Sequence, residues 1–199
     1  MEEHDISQAI EQVRRMQALV LDRQGFRGFS GAARAAGGAA AMATALALAY
    51  AVAPVPRLHL IGWGVLLAVG LALNFGALFG WLLRNRARLR AAELWPVLEV
   101  FPALSAGAAL SAALVRAGQY DLLFGTWMAL YGVSHMAFRR TLPAAVYGGG
   151  LFYIAAGAFC LLWPGITFTD PRPMGLVFGL GEVFGGWALL RSRRVYESE

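Results

Sequence analysis

Four polar side chains stand inside long apolar runs: Asn74, Glu99, His135 and Glu182. A charge held at the centre of a hydrocarbon layer costs on the order of 3 kcal/mol, so such residues face one another inside a bundle and by default mark function. Glu99, His135 and Glu182 carry acid–base groups, and the imidazole is the one that titrates nearest neutrality. Asn74 can both donate and accept a hydrogen bond. The four are candidates for a binding site or a proton relay, with two carboxylates alternating between charged and neutral forms. The competing reading is structural, with Glu182 protonated and bonded across helices, His135 reaching the interface, and Glu99 paired with an arginine. Arg84, Arg86, Arg88 and Arg90 follow the second apolar run and suit the binding of anionic headgroups.

Other chemistry finds less support. Ser134 and His135 are neighbours in sequence, which on a helix points them about 100° apart, and no Gly-x-Ser-x-Gly elbow is present, so no catalytic residue is assigned. The stretch GFRGFSG at 25–31 is glycine-rich but lacks the lysine and the spacing of a phosphate-binding loop. With three histidines in no ligand spacing and one cysteine, Cys160, neither a metal site nor a cofactor is expected.

The elements that must position these residues follow from composition. The chain has 199 residues, 58% apolar and 15% charged, with a mean hydropathy of +0.55. A soluble domain runs to about 45–50% apolar and about 25% charged, so the excess must face lipid. Crossing about 30 Å of hydrocarbon takes roughly 20 apolar residues. Six runs approach that length: 35–53, 58–83, 94–115, 120–138, 145–163 and 174–190. The sequence therefore predicts an all-α polytopic membrane protein of six transmembrane helices arranged as three hairpins. Residues 1–34 form a cytoplasmic amphipathic helix and interfacial loop, 35–190 the transmembrane domain, and 191–199 a cytoplasmic tail. The amphipathic helix is expected over 5–23, Ser30 is placed to cap the first span, and Pro102 is expected to kink the third.

Every basic residue is arginine, and 14 of the 17 fall on one side of the six runs, which places both termini in the cytoplasm under the positive-inside rule. The formal charge of +5 is thereby a topogenic signal that also meets anionic headgroups, and needs no nucleic acid as partner. Trp63, Trp127 and Trp163 fall towards outer ends of runs, and Trp81, Trp95 and Trp187 towards inner ends, as interfacial tryptophans do. The external links are short, which excludes a receptor head. No apolar run precedes residue 35, so no secretory signal is expected.

Glycine is the packing residue. Gly76 and Gly80, Gly175 and Gly179, and Gly181 and Gly185 are spaced four apart, and Ala103, Gly107 and Ser111 form a similar stripe, all expected to be helix contacts. Outward-facing copies would make a homo-oligomer. Phe124, Gly125, Gly132, Arg139 and Arg140 match Phe178, Gly179, Gly186, Arg193 and Arg194 at a constant offset of 54, which suggests a duplicated hairpin.

The segment GGGLFYIAAGAFCLLWPG followed by GLVFGLGEVFGGWALLRSRR resembles the hairpins of small six-helix bacterial membrane proteins of the acid-resistance type. The likeness covers mainly 147–194 and implies a bacterial inner-membrane protein. It supplies no catalytic residue, and the amphipathic N-terminus and buried carboxylates depart from that pattern. Three classes of function follow. The first is a non-enzymatic component that senses its surroundings or docks a cytoplasmic protein through residues 1–34 and the 84–93 loop. The second is a small proton- or cation-coupled transporter or ion pathway using Glu99, His135 and Glu182. The third is a membrane-embedded lipid-modifying enzyme.

Overall fold

Capping residues and prolines set the ends of the helices. The computed structural model describes residues 11–13, 30–84, 101–137 and 144–197, with no strand among them. Six helices result: α1 Gly31–Ala51, α2 Pro56–Arg84, α3 Phe101–Arg116, α4 Leu123–Ala137, α5 Ala144–Leu162 and α6 Arg172–Glu197. Residues 11–13 are also helical. The rest of the amphipathic segment, most of the interfacial loop, Arg86, Arg88, Arg90 and Glu99 lie outside the described residues. So does residue 98, whose carbonyl the expected kink at Pro102 would free.

Three helices are long and apolar enough to cross a membrane: α1, α2 and the Arg172–Arg191 stretch of α6. By length and composition these are the marks of a membrane protein. The described parts of α3 and α5 are shorter apolar helices.

Ser30 caps α1, its Oγ accepting from the Ala33 N–H at 3.2 Å, so the first helix begins four residues before the apolar run marked from composition. Pro54 and Pro56 close α1 and open α2, where the missing N–H of proline costs nothing in a first turn. Helix α3 ends on Gly118, the one glycine among the described residues at positive φ, +71°. Its N–H donates to the Val115 carbonyl at 3.1 Å and that of Gln119 to Leu114 at 2.9 Å, the two bonds of a left-handed helix stop. A single 3₁₀ turn, Tyr120–Leu122, leads into α4, and the Asp121 carboxylate accepts from the Phe168 N–H at 2.7 Å.

The tightest packing joins α1 to α6 and α4 to α5. Both pairs are antiparallel and use glycines seven apart. A Cβ on Gly31 would sit 2.6 Å from the Gly186 carbonyl oxygen, and one on Gly38 would sit 3.0 Å from that of Gly179. On the other pair, a Cβ on Gly132 would sit 2.6 Å from the Gly150 oxygen and one on Gly157 would sit 2.7 Å from that of Gly125. Backbones this close exclude any larger side chain, which is how helices associate where water supplies no hydrophobic drive. The glycines matched at the offset of 54 thus do the same work on two helices. Gly76 and Gly80 differ from expectation, since a Cβ at Gly76 would meet nothing and one at Gly80 only the tip of Arg84.

A core of Leu48, Trp63, Leu123, Phe124, Met128, Cys160 and Phe168 fills the end of the bundle where α1 finishes and α2 begins. Phe124 lies 4.9 Å from Phe168 and 5.6 Å from Trp63, the latter pair edge to face. Trp63, expected at the membrane interface, is instead 4% exposed and a core residue.

Candidate functional site

Helices α1, α4, α5 and α6 each send polar side chains to one point. Arg34 comes from the first turn of α1, Tyr131 and His135 from α4 one turn apart, Tyr153 from α5 and Glu182 from the middle of α6. All are withdrawn from the surface, the side chains of Arg34 and Glu182 being 11% and 10% exposed.

Glu182 Oε1 is the hub. It accepts from Arg34 Nη2 at 2.9 Å, Tyr131 Oη at 2.9 Å and Tyr153 Oη at 2.8 Å. The Arg34 contact is a buried ion pair, so Glu182 stands as a carboxylate with a resident counter-charge. Arg34 Nη2 also contacts His135 Nε2, while His135 Nδ1 lies 2.8 Å from the Tyr131 carbonyl oxygen. A carbonyl can only accept and a guanidinium can only donate. His135 is therefore the neutral tautomer with its proton on Nδ1, and Nε2 accepts from Arg34. The two N–H groups of Nη2 are thus divided between a carboxylate and an imidazole.

Aromatic rings close the sides. Tyr131 meets Tyr153 edge to face at 4.9 Å and His135 at 4.5 Å, and Phe178 lies 5.0 Å from Tyr131 and 5.1 Å from Tyr153. The glycines beside Glu182 make the room. A Cβ on Gly185 would fall 2.6 Å from Arg34 Nε, and one on Gly181 would overlap the Tyr153 hydroxyl. Gly38 does the same from α1, where a Cβ would lie 2.8 Å from that of Glu182. The pair Gly181 and Gly185, expected to hold two helix backbones together, instead admits two side chains. Arg34 Nε is buried without a hydrogen-bond partner among the described residues.

Of the residues singled out from sequence, the structure brings Glu182 and His135 together through Arg34. His135 is buried rather than at the interface, and Glu182 is bonded across helices to an arginine. Asn74 lies elsewhere, exposed on α2, its Nδ2 donating to the Gly70 carbonyl at 2.9 Å. Arg84 is exposed at the end of α2, its Nε donating to the Gly80 carbonyl at 3.1 Å.

Arg34, Tyr131 and Tyr153 were not singled out from sequence. Arg34 stands immediately before the apolar run 35–53, where an arginine reads equally well as a topogenic charge. Starting the first span from the Ser30 cap places an arginine inside the helix and exposes the signal. Tyrosines in apolar helices carry no comparable mark.

Two features lie apart from this cluster. A cleft of about 320 Å³ at the far end of α1 is lined by Tyr50, Thr167, Thr169, Asp170 and Arg172. Tyr50 is about 24 Å along the helix from Arg34 at 1.5 Å per residue. There Arg172 donates to Asp170 from Nε at 2.7 Å and Nη2 at 3.0 Å, and this hydrogen bonding holds the Asp170 carboxyl below its ordinary value. The second is His59, 1% exposed, with neither ring nitrogen partnered among the described residues. No group of three or more His, Cys, Asp and Glu side chains among the described residues could hold a metal ion. The chain matches no protein-family model, no curated protein and no solved structure.

Proposed function

We propose that the protein is a non-enzymatic membrane component that senses its surroundings or docks a cytoplasmic protein, presenting the segment that precedes α1 from a helix anchored in the bundle. The observation that carries this reading is the buried Arg34 Nη2–Glu182 Oε1 pair at 2.9 Å. Arg34 lies in the first turn of α1, directly after the N-terminal segment, so a bond from there to α6 fixes the base from which that segment leaves the membrane. In this reading six apolar helices cross a bacterial inner membrane in three hairpins, both termini lie in the cytoplasm, and the arginines of 84–90 rest among anionic headgroups.

A cation pathway through Glu182 has less behind it. The carboxylate already holds Arg34, and Gly181 and Gly185 leave space filled by Tyr153 and Arg34 themselves. A proton-coupled route is the second reading, favoured by one observation. Tyr153, Tyr131, Glu182, Arg34 and His135 form a single hydrogen-bonded set spanning four helices. The test compares the full chain, a form lacking residues 1–24, and Glu182→Gln. A docking component loses its crosslinked partner in the shortened form while keeping its fold. A proton-coupled component keeps flux in reconstituted vesicles without residues 1–24 and loses it in Glu182→Gln at a temperature where Cys160 of that variant still resists a thiol dye, and that result would overturn the first reading.

A further inference from the structure

Helix α2 is 29 residues long and apolar enough to cross a membrane, yet only 6% of its apolar stretch is buried within the chain. Ten residues before its Arg84 end is Asn74, exposed, with one amide N–H tied to the Gly70 carbonyl and its second N–H and its Oδ1 without a hydrogen bond among the described residues. An amide facing hydrocarbon has no water to bond with, and such groups draw helices together. Gly70 and Ala77 lie on the same face as Asn74, one turn below and one above. A Cβ at Gly70 would meet no atom within 4 Å, so a neighbouring backbone can approach there. Gly70 and Ala77 stand 55 residues before Gly125 and Gly132, the row by which α4 is packed against α5. Among the described residues α1 is the helix that packs closely on α2, and nothing lies within 4 Å of a Cβ at Gly70.

We infer that this face of α2 binds the same face of a second copy, with Asn74 paired to Asn74. The amide is self-complementary: it offers one donor and one acceptor, and a two-fold axis along the membrane normal brings identical residues to the same depth. Any other partner would need a polar group of its own at that depth on an apolar helix. The dimer seats the Gly70 and Ala77 row against its copy and satisfies both free amide groups in two reciprocal bonds. It makes no use of the Arg34–Glu182 pair and does not rest on the docking reading.

The test uses the full chain with Cys160→Ser and a single cysteine in place of Leu67, one heptad below Asn74, oxidised in vesicles of phosphatidylethanolamine and phosphatidylglycerol. Leu176, exposed on α6, is the comparison position. Leu67→Cys should give a covalent dimer and Leu176→Cys should not. Association measured by energy transfer over a range of protein-to-lipid ratios should weaken roughly tenfold in Asn74→Leu, the loss expected for two interhelical hydrogen bonds. Asn74→Gln should retain most of the association. A protein that remains monomeric at every ratio would overturn the inference. So would a dimer indifferent to Asn74→Leu, or one crosslinked through Leu176 rather than Leu67.

Discussion

Replacing Glu182 by Gln removes one charge from the cluster and leaves its shape. The amide oxygen still accepts from Tyr131 and Tyr153, but Arg34 is left as a buried cation with no counter-charge. At 2.9 Å and an effective dielectric of about 20, the lost attraction is about 6 kcal/mol before relaxation. Breaking one partner of a buried pair costs about 3–5 kcal/mol in practice. At 2–4 °C per kcal/mol for a chain of this size, the midpoint should fall by roughly 6–20 °C. The protein carries its own reporter, because the one cysteine, Cys160, is 5% exposed on α5 and becomes reactive towards a thiol dye only on unfolding. The double variant Arg34→Met with Glu182→Leu removes both charges and should recover most of the loss, since an apolar pair can replace a buried ion pair. A Glu182→Gln midpoint within about 1 °C of the parent, near the resolution of such a shift, would refute the reasoning. So would a double variant whose loss equals the sum of the two singles.

Tyr153→Phe deletes one donor to a charged acceptor and should cost about 1.5–3 kcal/mol, read by the same dye assay. Gly185→Ala places a Cβ 2.6 Å from Arg34 Nε and should destabilise by about 1–3 kcal/mol. Gly37→Ala, where a Cβ meets nothing, should be neutral or gain up to about 1 kcal/mol from helix propensity, and equal losses at both positions would contradict the packing. Asp170 is held below its ordinary value of 3.8 by Arg172, so it stabilises the fold above that pH and ceases to as pH falls through the lowered value. With Arg172 75% exposed the contribution is largely screened by solvent, and it is measurable as a difference between the parent and Asp170→Asn at neutral pH that vanishes in acid.

The helices were legible as long apolar runs nearly free of charge, and each of the six runs overlaps one of the described helices. The glycines were legible as packing residues, but their partners were not. Four-residue spacing found Gly175 and Gly179, which press on Ala45 and Met42 of α1, but also Gly76 and Gly80, which touch almost nothing, and the closest backbone approaches follow a seven-residue spacing that pairs Gly31 with Gly186 and Gly132 with Gly150. Spacing along one helix cannot say which helix lies opposite. Glu182 and His135 were visible as polar groups out of place, and Asn74 was visible for the same reason although it lies apart from them. Arg34 was hidden by its place at the edge of an apolar run, where an arginine serves topology equally well. Only the antiparallel register of α1 on α6 brings it, 148 residues away, to Glu182.

Carbodiimide labelling of the intact protein across about pH 5 to 8 tests most directly whether Arg34 holds Glu182 as a carboxylate, because the reagent seeks protonated carboxyls in apolar surroundings. The ion pair predicts that Glu182 stays unlabelled while Arg34 is present and becomes labelled once Arg34→Met withdraws the counter-charge. Labelling of Glu182 in the unaltered protein, declining as pH rises, would contradict it.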